Sequence, residues 1–203
     1  EATSKRRAPP IEVLRALFVN KGVGVPLEAA GGMLLEKPFR VHGFECRALL
    51  GLGGFSATLL AVDEKGASVV VKMTKDDYIM LTTGFGKGRR TFPPREFVRE
   101  VEALKRVSQL NHPNIVKLLG VYEATGANPA ILVFEYCEGG SLRDILEKKG
   151  GLGPEVAAQI AVQIADALAA IHGLGYAHGD VKPENILFSR DGVPRLADFN
   201  TAK

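Results

Sequence analysis

Apolar residues recur at two spacings along this chain. From Phe44 onward the runs CRALLGLGG, SATLLAVDEKG and ASVVVKM are short and β-rich, and DEKG at Asp63 to Gly66 is a natural hairpin turn, so three antiparallel strands are expected. The polar, basic, glycine-containing stretch from Thr74 to Pro94 is expected to be one loop. In REFVREVEALKRV the spacing of Phe97, Val101, Leu104 and Val107 predicts a helix. NIVKLLGVYEA and AILVFEY read as further strands. GGSLRDILEKKG reads as a short helix with Ser141 as N-cap and Asp144 three residues on, and Gly139 and Gly140 form a hinge before it. The clearest helix runs from Pro154 to Gly173, with Val156, Ile160, Ile164, Leu168 and Ile171 on one face; alanines on the other faces suggest burial on more than one side. ENILF and VPRLADF flank SRDG, a β-hairpin closed by Asp191-Gly192 and carrying Asp198 on its second strand. Residues 1–40 mix basic residues, Pro9, Pro10 and glycine pairs around IEVLRALFVN, in which Ile11, Leu14 and Phe18 share a helical face, and read as an extension.

Composition narrows the class. With 203 residues, 46% apolar and 24% charged, the chain can bury a core, which excludes disorder throughout. Lys and Arg exceed Asp and Glu by 26 to 23, too small a balance to imply nucleic acid as a partner. Cys46 and Cys137 are far apart and in no metal-ligand spacing, which fits a reducing, intracellular (cytoplasmic) setting. No stretch approaches the roughly 18 uninterrupted apolar residues of a membrane span; AVQIADALAAI is shorter and contains Asp166. The N-terminus lacks the apolar core of a secretory signal and begins with Glu1, as expected of a chain cut from something longer.

Three segments carry chemistry. GLGGFS, Gly51 to Ser56, lies between two expected strands, where glycines let backbone N–H groups approach phosphates, although a tight turn reads equally well. Lys72 interrupts the apolar strand VVVKM, where an ammonium is costly unless it meets an anion or carboxylate or snorkels to water. HGDVKPENILF gathers Asp180, Lys182 and Asn185 in one loop: a carboxylate to accept a proton, an ammonium to hold a phosphate, an amide to bind a metal. Asp198 could join Asn185 on Mg²⁺, which prefers oxygen ligands and keeps phosphates in its shell.

Taken in order, the glycine loop, Lys72, a helix glutamate, HPNIV at His112, LVFEYCEGGSL, HGDVKPEN and ADFN resemble the eukaryotic-type protein kinases from about Val41 to the end. The resemblance implies an α+β, protein-kinase-like bilobal fold: extension 1–40, β-rich N-lobe with one regulatory helix and hinge 41–137, and the first part of a helical C-lobe 138–203. It implies ATP and Mg²⁺ as cofactors and phosphoryl transfer to Ser/Thr hydroxyls of a protein substrate, since KPEN resembles Ser/Thr more than tyrosine kinases. Gly51, Leu52, Gly53, Gly54, Phe55 and Ser56 cover the phosphates, Lys72 holds the α- and β-phosphates, and Glu100 is the choice for its partner, Glu96 and Glu102 being the alternatives. Asp180 is implied as base, Lys182 as γ-phosphate contact, Asn185 and Asp198 as metal ligands. Glu135 and Cys137 offer backbone to adenine, Phe134 narrows the pocket behind, and Thr58, Val70 and Leu187 sandwich the ring. Leu104, Leu118, His178 and Phe199 form an internal stack between the lobes.

Departures from the family pattern leave a second class, a pseudokinase or nucleotide-binding scaffold, beside the enzyme. Ser56 replaces the third glycine, Gly179 stands where an arginine usually precedes the catalytic aspartate, and Asn200 replaces a glycine, Asn being the non-glycine residue most tolerant of left-handed backbone. Residues 138–203 are too few for a C-lobe, so this stretch alone is expected to be inactive. The N-terminal amphipathic run, or the basic 84–95 loop, could receive a regulatory partner.

Overall fold

In the computed structural model, residues 32–84 and 95–199 are described. The expected helix around Ile11, Leu14 and Phe18, the basic stretch 85–94 and Asn200 lie outside the described residues. A six-stranded antiparallel sheet runs in the order β1-β2-β3-β4-β6-β5, built from β1 (Met33–Val41), β2 (Phe44–Leu52), β3 (Ser56–Val62), β4 (Ser68–Thr74), β5 (Leu118–Tyr122) and β6 (Ile131–Glu135). The three expected strands are β2, β3 and β4. At Gly66 the backbone takes φ +83, and Asp63 accepts the N–H groups of Lys65 and Ala67, which closes the β3–β4 turn. β1 differs from expectation: residues 33–40, read as extension, pair with β2, and a bulge between Leu34 and Phe39 hides the alternation that would mark them as strand.

The stretch after β4 also differs. Its first part is helix α1 (Lys75–Thr83), not loop: Thr74 accepts the N–H of Asp77 as N-cap, and Gly84 ends the helix at φ +69. α1 buries no residue completely, so no apolar period announces it; Tyr78 and Leu81 only lean on the sheet core. Helix α2 (Arg95–Val107) follows the basic stretch and buries Phe97, Leu104 and Val107.

The C-terminal part consists of helix α3 (Leu142–Lys149), helix α4 (Pro154–Gly173) and a hairpin of β7 (Ile186–Phe188) and β8 (Pro194–Leu196). Ser141 and Asp144 form a reciprocal capping box at the start of α3. α4 buries Ile160, Ile164, Ala167 and Ile171 on one side; its alanine-rich faces are exposed, with Val162 69% accessible, so the expected burial on several sides is not found among the described residues. By length and mean hydropathy of 1.3 this helix would also suit a membrane span; here its apolar side joins the core and Asp166 pairs with His112 at 3.2 Å.

Two cores result. One lies on one face of the sheet around Val69, Val71, Met73 and Leu59. The other unites α2, β6, α4 and the hairpin through Leu104, Leu132, Ile164, Phe188 and Leu196. Strand alternation follows from this: with Val69, Val71 and Met73 turned into the first core, Val70 and Lys72 face the opposite side, where the cleft opens.

Candidate active site

A cleft of about 800 Å³ separates the sheet from the helical part. Its roof is Leu50, Gly51, Leu52, Gly53, Ser56, Thr58 and Val70; its rear is Phe134; its edge is Glu135, Tyr136 and Cys137; its floor includes Lys182, Asn185, Leu187 and Asp198. Gly54 and Phe55 form the exposed tip of the turn and do not line the cleft, and Phe55 is 63% accessible.

Lys72 is the centre of this arrangement. Its Nζ donates to Glu100 Oε1 at 2.6 Å and to Asp198 Oδ1 at 3.0 Å, joining the sheet, α2 and the end of the hairpin. Of the three glutamates weighed for this pairing, α2 turns Glu100 inward, 2% exposed, while Glu102 is exposed and the Glu96 side chain lies outside the described residues. Burial pushes the Glu100 carboxyl above the usual carboxylate range, and the Lys72 charge offsets this only in part.

Asp198 lies two residues past the end of β8, not on the strand as expected, and takes φ +64. Left-handed backbone is uncommon outside glycine, and Asp and Asn tolerate it best. Among the described residues of ADFN, the left-handed one is therefore the carboxylate-bearing residue itself.

The loop before β7 is tied at several points. Lys182 Nζ donates to Asp180 Oδ2 at 2.6 Å, and Asn185 Nδ2 donates to the Asp180 carbonyl at 2.8 Å and to Oδ2 at 3.0 Å. These bonds, led by that of Lys182, hold the Asp180 carboxyl below its usual range, and the same contact raises Lys182. Asn185 is buried, with its amide nitrogen committed to Asp180, which leaves its carbonyl oxygen as the group suited to a cation. His178 supports the loop from beneath: Nε2 donates to the Ala197 carbonyl at 2.9 Å and Nδ1 accepts the Asp180 N–H at 3.3 Å. Only neutral imidazole makes both bonds, and burial lowers the His178 pKa accordingly. Its ring meets Phe199 edge-on at 5.0 Å, and Leu104, Leu118 and Phe199 belong to one core. Gly179 sits at φ +79, a conformation that glycine adopts without strain.

At the hinge, Gly139 N–H donates to the Phe188 carbonyl and Phe188 N–H to the Gly140 carbonyl, both at 2.9 Å. A Cβ at Gly139 would lie 2.7 Å from the Phe188 Cβ, so the close approach of hinge and hairpin requires glycine. Glu135 N–H donates to the Lys117 carbonyl at 3.0 Å, which leaves its carbonyl as the group this residue can offer a base. Cys137 is a buried free thiol pushed up to about 12 by desolvation, so it lines the cleft without being nucleophilic.

Several lining residues escape the sequence reading. Leu50 directly precedes the glycine turn and Val116 follows the HPN segment; both look like ordinary strand residues. Ser141 and Asp144 read only as a cap, yet both also line the front of the cleft. Arg195, in register with Leu187 across the hairpin, reaches Glu135, a contact that no local spacing predicts.

The family described as protein kinase domain matches residues 44–203. The chain is 31% identical over 170 residues to the 3-phosphoinositide-dependent protein kinase 1 of Arabidopsis thaliana, covering 83% of this chain and 32% of that protein. It is 36% identical over 161 residues to a probable serine/threonine-protein kinase of Clostridium perfringens, covering 79% and 22%. With the serine/threonine-protein kinase PknB of Mycobacterium leprae the identity is 32% over 163 residues, covering 79% and 24%. The chain thus spans a third or less of the length of these relatives.

Proposed function

The chain belongs to the protein kinase domain family, and from that premise we propose that the protein carrying it transfers the γ-phosphoryl group of ATP to Ser or Thr hydroxyls of a protein substrate. The observation that carries the reading is Lys72, bonded at once to Glu100 and Asp198 inside the cleft. A buried ammonium between two carboxylates is a costly arrangement for stability alone, and it suits a group that must hold phosphates beside a cation.

The residues fit a nucleotide and Mg²⁺. A Cβ at Gly51, which lines the cleft, would meet no protein atom within 4 Å, and this residue lacks the positive φ that requires glycine, so bareness here serves the approach of a phosphate to the backbone. Leu50, Thr58, Val70 and Leu187 offer two faces to a planar base, and the Glu135 carbonyl and Cys137 N–H its hydrogen-bonding edge. Asn185 and Asp198 supply the two protein oxygens, and among the described residues no cluster of three or more His, Cys, Asp or Glu forms a cage. That matches Mg²⁺, which takes few protein ligands and completes its shell with phosphate and water. When bound, the cation neutralises charge that develops on the phosphoryl oxygens.

The chain's own contribution is positioning and proton handling. Asp180, kept ionised by Lys182 and Asn185, accepts the hydroxyl proton; its Oδ1 carries none of those bonds. Lys182, beside it, stabilises the transferring phosphoryl group. Phosphate transfer from radiolabelled ATP to a protein acceptor by the full-length protein, abolished by Asp180→Ala, tests this reading. Transfer that survives the substitution would refute the assignment of Asp180, and absence of transfer in the unsubstituted protein would favour a nucleotide-binding scaffold.

A further inference from the structure

The hinge and the β7–β8 hairpin are joined by a polar seam at the rim of the cleft. Glu135 Oε1 accepts the Lys117 N–H at 2.7 Å and also an N–H from Arg195 Nη1, while the Glu135 N–H returns to the Lys117 carbonyl at 3.0 Å. Next to it, Leu196 N–H donates to the Asn114 carbonyl at 2.8 Å and Val116 N–H to the Leu196 carbonyl at 3.0 Å. Residues 114–117 are thus clamped between β8 on one side and the hinge on the other. Arg195 is the one side chain that reaches across this segment from β8 to the hinge among these bonds.

As a stabilising device the contact is poorly made. Both side chains are 23% exposed, so each has lost most of its hydration, and Arg195 Nε is buried without a hydrogen-bond partner. Partly desolvated, half-satisfied ion pairs contribute less than apolar residues of the same size. What the pair does supply is a fixed separation. Glu135 stands at the base-binding edge, and three residues after Arg195 comes Asp198, which grips Lys72. The two ends of a nucleotide therefore meet residues connected by one guanidinium.

We propose that Arg195 is a positioning residue for phosphoryl transfer: through Glu135 it holds the base-binding edge of the hinge and the Asp198 carboxylate in register, so that it acts on ligands spanning both ends of the cleft. The proposal rests on the ATP reading above. It makes an asymmetric prediction, because adenosine touches only the hinge end whereas Mg·ATP engages both.

The experiment measures adenosine and Mg·ATP binding by calorimetry, together with kcat and KM for ATP, in the full-length protein and its Arg195→Met, Arg195→Lys and Glu135→Gln variants. Arg195→Met is expected to leave adenosine affinity within about threefold while weakening Mg·ATP by about tenfold or more, a coupling of the size two linked sites show. Arg195→Lys restores part of the loss, and Arg195→Met combined with Glu135→Gln is no worse than Arg195→Met alone, since both remove one contact. Equal weakening of both ligands by Arg195→Met would mean a general loss of structure and overturn the proposal. So would unchanged binding of both ligands by a folded Arg195→Met protein; if that variant does not fold, Glu135→Gln decides by the same two affinities. Unsubstituted protein that binds neither ligand would overturn the ATP reading, and the positioning role with it.

Discussion

Replacing Glu100 by alanine tests the site at its most buried point. The substitution removes a partner 2.6 Å from Lys72 Nζ, in a pair whose side chains are 7% and 2% exposed, and leaves the ammonium with Asp198, itself 34% exposed. Breaking a buried pair costs about 3–5 kcal/mol, and the remaining contact to Asp198 places this case near the lower figure. For a domain of this size ~3 kcal/mol corresponds to a fall in Tm of roughly 6–12 °C. The raised carboxyl of Glu100 carries a further consequence. A carboxyl whose folded-state pKa lies above its ordinary value gives its full stabilising contribution only in acid and loses it as pH rises through the folded value, so at neutral pH the ionised pair is a burden on the fold. Lys72→Met combined with Glu100→Leu should therefore match or exceed the unsubstituted protein in stability, by up to about 4 kcal/mol, while losing phosphoryl transfer about a hundredfold or more. Thermal unfolding by circular dichroism and a radiolabelled transfer assay on the full-length protein measure the two effects. A Glu100→Ala protein melting within about 2 °C of the original, or a double variant as unstable as the single one, would refute the reasoning.

His178, whose pKa is lowered chiefly by burial, should make the fold lose stability as pH falls from the ordinary histidine value near ~6.5 downward, because the charged form is disfavoured only in the folded state; urea unfolding between neutral and mildly acidic pH should show this slope, and His178→Gln should flatten it. Gly139→Ala forces a Cβ to 2.7 Å from the Phe188 Cβ and 2.8 Å from its carbonyl oxygen and should destabilise by about 1–3 kcal/mol in urea titration, whereas Gly173→Ala, which meets nothing within 4 Å, should be neutral or slightly stabilising. Ser141→Ala dismantles the capping box of α3 and should cost about 1 kcal/mol by the same measurement.

What could be read from sequence follows the reach of the interactions involved. The α4 limits, the α3 cap and the Asp63–Gly66 turn depend on residues within a few positions of one another, and each was legible. Glu100 was legible because a helical period places it on the same face as Leu104, one turn on. α1 was not, since its signal is a Thr74–Asp77 cap and a terminal glycine with no apolar face between them. β1 is hidden by its bulge, and the exposure of the α4 faces is hidden because alanine suits both environments. Arg195 and Glu135 are 60 residues apart, and nothing local marks either for the other.

The same contrast explains how the site divides its work. Residues expected to touch nucleotide or substrate sit on turns and strand ends: Gly51 at the end of β2 and Gly53 just after it, Asp180 and Lys182 before the hairpin, Asp198 after β8. Contacts from distant elements fix Asp198, by Lys72, and the hinge, by Phe188 and Arg195, whereas Asp180 is held within its own loop by Asn185 and the imidazole of His178. A charge placed for chemistry must be held against its own desolvation cost, and distant elements supply that hold. The residues proposed to do the chemistry can therefore be recognised by type and spacing, while the distant ones that aim them, Arg195 above all, become visible only when the chain is folded.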